Sequence, residues 1–112
     1  KREIAGFYRD ALGEVGDIAF QEVVEGCHPN WWLFTIKTDR QPELLQRLNA
    51  AKMQSRPLWV PMNRLPMYAH LPYVQRNDRS AYIHERCLSI PCSTDISDAD
   101  LERVAKCIGE GF

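Results

Sequence analysis

The 112-residue chain has no long apolar run, no glycine-rich phosphate loop and no block of like charge. Each absence removes a class of function. A membrane-spanning helix needs about 20 consecutive apolar residues, and none occur. The first residues do not follow the basic-then-apolar order of a secretory signal. No G-x-x-x-x-G-K-[ST] or G-x-G-x-x-G spacing offers a backbone cradle for nucleotide phosphates. Fourteen Lys and Arg against fifteen Asp and Glu give a net charge of −1, with no basic stripe or acidic tail. That balance argues against a protein held mainly by nucleic-acid phosphates.

The metal and thiol signatures are equally thin. Cys27, Cys87, Cys92 and Cys107 form no C-x-x-C pair, and no histidine cluster completes a zinc site. They read as reduced thiols of a cytosolic protein, with Cys87 and Cys107 among core-type residues. Cys27 beside His28 is the nearest approach to a reactive pair, and it reads as a loop thiol next to a loop histidine. His28, His70 and His84 share no ligand spacing. The acidic run at 95–100 lacks the central Gly and distal Glu of a calcium loop, so helix capping explains it better. Lys1, Lys37, Lys52 and Lys106 lie in no recognisable Schiff-base motif and read as solvated.

What is present is ordinary globular material: 45% hydrophobic and 26% charged residues. The length suits one domain, residues 1–112, with a core that removes roughly 60–70% of the unfolded surface from water. Lys1 opens directly into a helical pattern without Met, so the chain is expected to be a piece of a longer one.

Ile4, Phe7, Tyr8, Ala11 and Leu12 recur at helical spacing until Gly13. Residues 17–24 suit a short strand with Ile18 and Phe20 on one side. From Trp31, WWLFTIKT is the clearest strand, with Trp32, Phe34 and Ile36 on one face and Trp31, Leu33 and Thr35 on the other. Both faces are apolar, so this strand is expected to be central and covered twice. Pro42 to Gln54 makes a helix with Leu44, Leu45, Leu48 and Ala51 on its buried face. Residues 75–86 are weakly helical, with Tyr82 and Ile83 facing in. Residues 87–91 make a strand. Ser97 caps a last helix carrying Leu101, Val104, Ala105 and Ile108. The expected fold class is α+β: a small, mostly antiparallel sheet of about three strands with helices packed on one face.

Between the second helix and residue 75 lies SRPLWVPMNRLPMY, Ser55 to Tyr68. Three prolines forbid a continuous helix and remove donors from any ladder. Its Met, Trp and Tyr need a large partner surface: another domain, another subunit or a bulky ligand. Within it Arg56 suits either a structural role, capping a helix C-terminus or pairing with a carboxylate, or contact with an anionic ligand group. Trp59 suits core packing or stacking on a ring, and Asn63 suits a turn or a ligand contact.

HPNWWLFTI, ELLQRLNAAKMQ, SRPLWVPMNRLPMY and CLSIPCSTDISDADLERVAKCI, in this order, resemble the C-terminal small domain of a DegT/StrS-family sugar aminotransferase, a fold-type-I enzyme dependent on pyridoxal 5′-phosphate (PLP). The likeness covers essentially the whole chain. The R-P-x-W-x-x-M-N-x-L-P-M wording is similar to the branch that aminates nucleotide-linked 4-keto-6-deoxy sugars, including legionaminic-acid-type enzymes of cell-surface polysaccharide biosynthesis. One departure is Met53-Gln54-Ser55, where a Gly-Ile-type pair is common before the Arg.

The resemblance implies an amino transfer from glutamate, through PLP, to the keto sugar. It places the Schiff-base lysine and cofactor-binding residues in an N-terminal domain that is not among these residues. It therefore implies that this chain alone has no catalytic residue, binds no PLP and is inactive. It makes Arg56, Trp59 and Asn63 the candidates for contact with nucleotide sugar or glutamate. The implied parent is a cytoplasmic homodimer without nucleic-acid or membrane partners. A stand-alone α+β ligand-binding or regulatory module is the competing reading. RNA binding through the aromatic strand fits poorly, because the net charge is wrong and the Trp pair reads as buried.

Overall fold

The computed structural model describes residues 1–112. The elements run α1 (Arg2–Leu12), β1 (Ala19–Phe20), β2 (Phe34–Lys37), α2 (Gln41–Ala50) and β3 (Arg56–Pro57). A 3-10 turn (Met62–Arg64), α3 (Arg79–Arg86), β4 (Cys87–Ile90) and α4 (Asp98–Gly109) follow. The sheet has four strands in the order β1-β2-β4-β3, and every pairing is antiparallel. The chain is α+β, as its sequence implies, with one more strand than expected. The extra strand is β3, hidden in the proline-rich segment. Pro57 lies on the sheet's edge, where its missing donor costs little.

Antiparallel partners share a face, so the register sorts the side chains. Phe34 opposite Ile90 and Ile36 opposite Leu88 point into the core. There they meet Tyr8 and Leu12 of α1, Leu44 and Leu48 of α2, and Leu101, Val104 and Ile108 of α4. Fully burying each such side chain contributes about 1.5–3 kcal/mol. The other face carries a polar row, Thr35, Ser89 and Arg56, in which the Thr35 and Ser89 hydroxyls lie 3.1 Å apart. β2 is central, but only one of its faces is closed by helices.

The tryptophans depart from the expected alternation. Trp31 has φ 53°, a left-handed conformation rare for so bulky a residue. Asn30 stabilises this turn, its Oδ1 accepting from the Trp32 amide at 3.0 Å. The turn shifts the phase by one residue. Trp31, not Trp32, packs on Phe34 with ring centroids 5.7 Å apart, and Arg9 lies 5.1 Å above its ring. Trp32 is 66% exposed, so the Trp pair is not buried.

Other expectations need smaller corrections. Ala11 is exposed and Ala5 takes its place in the core. Tyr82 and Ile83 are exposed, and Ala81 is the buried residue of α3. Cys92 is the buried cysteine, whereas Cys87 and Cys107 are half-buried. The helix expected to reach Gln54 stops at Ala50.

Candidate functional site

The site begins at the end of α2. The Lys52 amide donates to the Asn49 carbonyl, and the Met53 amide donates to that of Leu48 at 2.9 Å. This pair of bonds is a Schellman closure, and it demands a left-handed residue between them. Glycine usually fills that place; here it is Lys52, with φ 61°. Asn49 then clips the chain back: its Nδ2 donates to the Ser55 carbonyl at 3.1 Å, and its Oδ1 accepts from the Ser55 amide at 2.9 Å. The clip delivers Arg56 onto the sheet edge, opposite Ser89.

From the other side come the end of β4 and the start of α4. The buried Tyr8 hydroxyl donates to the Pro91 carbonyl at 2.7 Å, and burial pushes its pKa far above that of free tyrosine. Lys1 Nζ donates to the carbonyls of Trp32 and Cys92 and lies 3.7 Å from the Cys92 sulfur. Ser97 caps α4 by accepting from the Asp100 amide at 3.1 Å. One turn later Arg103 donates to the Ala51 carbonyl at 2.9 Å and faces the Asp100 carboxylate at 3.7 Å.

These pieces enclose an open cleft of about 480 Å³ whose charged or aromatic lining is Lys1, Trp32, Lys52, Arg56, Asp100 and Arg103. Four cations face one carboxylate in a chain of net charge −1. Arg56 makes no ion pair or side-chain hydrogen bond, and Lys52 makes none. The cleft suits an anion. No group of side chains in the chain could hold a metal ion.

Of the three residues singled out in the sequence, only Arg56 lines this cleft. Trp59 is 70% exposed and is not among the residues that line the cleft. Asn63 sits half-buried in the 3-10 turn, its Oδ1 buried without a partner. That segment is tied to α3: His84 Nδ1 meets the Leu58 carbonyl at 2.6 Å, and Arg64 pairs with Glu85 at 2.8 Å. Lys52 and Arg103 were not legible as site residues. Lysines on helices read as solvated, and only recognising the helix stop at Ala50 would have put Lys52 in a turn facing Arg56.

The family profile described as the DegT/DnrJ/EryC1/StrS aminotransferase family matches residues 1–109. GDP-perosamine synthase of Vibrio cholerae is 28% identical over all of this chain and 32% of its own length. GDP-perosamine synthase of Caulobacter vibrioides is 26% identical over 93% of this chain and 29% of its own. Among solved structures, S. venezuelae DesV in complex with a ketimine intermediate superposes with a TM-score of 0.88 at 25% identity, over 98% of this chain and 30% of DesV. The chain thus spans about a third of the length of the relatives it matches. It belongs to the DegT/DnrJ/EryC1/StrS aminotransferase family.

Proposed function

We propose that this chain is the C-terminal domain of a PLP-dependent aminotransferase that moves the amino group of glutamate onto a nucleotide-linked 4-keto-6-deoxy sugar. The observation that carries this reading is the match over residues 1–109 to a sugar-aminotransferase family, supported by a whole-chain superposition on about 30% of DesV. The two GDP-perosamine synthases, named for an aminated sugar nucleotide, agree with a nucleotide-linked substrate.

The residues present do not fit a complete PLP site. A lysine that carries the cofactor sits in a closed apolar pocket or beside a group that lowers its pKa. Lys1 and Lys52 line an open cleft, Lys1 is engaged by carbonyls, and Lys106 is on the solvent side of α4. Lys37, half-buried at a strand end, has Cys87 opposite rather than an acid that could hold a pyridinium. Cofactor chemistry therefore belongs to the rest of the enzyme, and no step of it is assigned to this chain. The chain's share is a wall of the substrate cleft. Arg56 meets an anionic substrate group, while Trp59 and Asn63 lie on the segment that turns toward the cofactor domain. The homodimer of the parent completes the site.

The test pairs two preparations. Full-length protein, given PLP, glutamate and a nucleotide-linked 4-keto-6-deoxy sugar, should yield the amino sugar by mass spectrometry. The 112-residue chain should not bind PLP. Stoichiometric PLP binding by this chain, with the visible absorbance of a lysine-bound cofactor, would overturn the reading, as would a full-length protein that leaves every such keto sugar unaminated.

A further inference from the structure

We infer that Cys92 and Lys1 form a redox-responsive covalent pair, in which molecular oxygen joins the cysteine sulfur to the lysine nitrogen through a single oxygen atom. The observation that carries this is proximity: Lys1 Nζ lies 3.7 Å from Cys92 Sγ. One acceptor holds both atoms, since the Trp32 carbonyl takes a hydrogen bond from Nζ at 3.3 Å and from Sγ at 3.6 Å. The Cys92 carbonyl holds Nζ from a second side. The backbone beside the thiol is fixed as well, because the Tyr8 hydroxyl donates to the Pro91 carbonyl at 2.7 Å. Two reactive groups 91 residues apart are thereby held against each other.

The surroundings leave each partner for the other. Cys92 is 8% exposed, which keeps bulky thiols off its sulfur, and it shares no disulfide with another cysteine of the chain. Lys1 forms no ion pair that would draw its ammonium away from the sulfur. Both residues line the open cleft, which admits dioxygen and lets water and protons leave.

The step balances with one dioxygen. One S–H bond, two N–H bonds of the ammonium and the O–O bond break; one S–O and one O–N bond form. The second oxygen leaves as water with two of the hydrogens, and the third hydrogen leaves as a proton. Sulfur and nitrogen give up two electrons each, and these four reduce the dioxygen. Two equivalents of a dithiol return the four electrons, release the bridging oxygen as water and restore thiol and amine. A nitrogen bonded to oxygen is too weakly basic to stay protonated at neutral pH. Oxidation therefore removes one of the four cations of the cleft and ties the start of α1 to the end of β4.

The test compares full-length protein held in air with the same protein kept under argon with dithiothreitol. After digestion, mass spectrometry of the aired sample should show the peptides of Lys1 and Cys92 joined, about 14 Da above the sum of the two free peptides. Dithiothreitol should separate them again. The aired protein should also melt several degrees higher, because the link closes 91 residues of chain. Lys1→Arg keeps a cation in place but cannot form the bridge, so it should lose both the joined peptides and the shift in melting, as should Cys92→Ser. Four results would overturn the proposal. They are a sulfinic acid on Cys92 with Lys1 free, a direct sulfur–nitrogen link about 2 Da below the sum, a Cys92 that stays reduced while the exposed Cys27 oxidises, or a melting shift that persists in Lys1→Arg. None of these readouts needs amination, so this inference and the proposed function fail separately.

Discussion

Lys52 holds φ at 61° because the Schellman closure of α2 fixes the amides on either side of it. For a residue with a Cβ that conformation costs about 1 kcal/mol or more. Lys52→Gly should therefore stabilise the chain by about 1 kcal/mol and raise the melting temperature by several degrees, measured by calorimetry. An unchanged or lower melting temperature would show that the lysine side chain offsets its own strain through packing. This residue also marks where sequence reading stops. The apolar spacing of Tyr8 and Leu12 placed both in the core, because burial is what the spacing encodes. Lys52 leaves no such trace: the signature of a helix end is glycine, and its absence stretched the expected helix to Gln54. Trp31 misled for the same reason. Its left-handed turn swaps the roles of two neighbouring tryptophans without altering their β-favouring composition.

At the scale of elements, α2 begins without a side-chain cap of its own. The turn before it is held instead by Asp17, which lies 21 residues before Thr38 and ahead of β1 and β2. The Asp17 carboxylate accepts from the Thr38 hydroxyl at 2.5 Å and from the Asp39 amide at 2.7 Å. The Thr38 hydrogen bond, then the Asp39 amide, with Arg40 nearby, holds this carboxyl below its ordinary pKa. A depressed folded-state pKa stabilises the fold above the unfolded-state pKa and loses that contribution as pH falls through the folded value. Asp17→Asn should accordingly melt lower than the parent chain at neutral pH, and the gap should close as pH falls below about 4. Parallel melts from pH 7 to about 2.5 check this, and a gap independent of pH would mean that the hydrogen bonds, not the charge, set the difference. Elements bounded by local signals were legible: α4, with its Ser97 cap and regular apolar spacing, lies where expected. Those fixed by pairing were legible only in part: a strand was expected within 17–24, where β1 lies, but β3 was not. β1 and β3 have two residues each, and only their partners in the sheet define them.

For the whole molecule, the radius of gyration is 15.3 Å, against about 13 Å for a compact domain of this length. The excess goes with a surface that carries Trp59, Val60, Met62, Met67, Leu71 and Val74 exposed along one stretch of chain. Soluble monomers seldom present so much contiguous apolar side chain without a partner. This need for a partner was legible from composition alone, whereas the division of labour was not. Composition could not tell that Arg56 lines the cationic cleft while Trp59 does not. The two groups predict opposite behaviour on mutation. Trp59→Ala combined with Met62→Ser should change the stability of the chain by less than about 0.5 kcal/mol, since neither side chain is buried. Ile108→Ala, in the core, should cost about 2–5 kcal/mol. The surface pair should act instead on association. With its apolar face uncovered, the parent chain should self-associate with rising concentration in sedimentation velocity runs, and the double variant should stay monomeric over the same range. A parent chain that remains monomeric throughout would mean that Arg64, Glu85 and the prolines around this face suffice to keep it in water, and that it is not a docking surface.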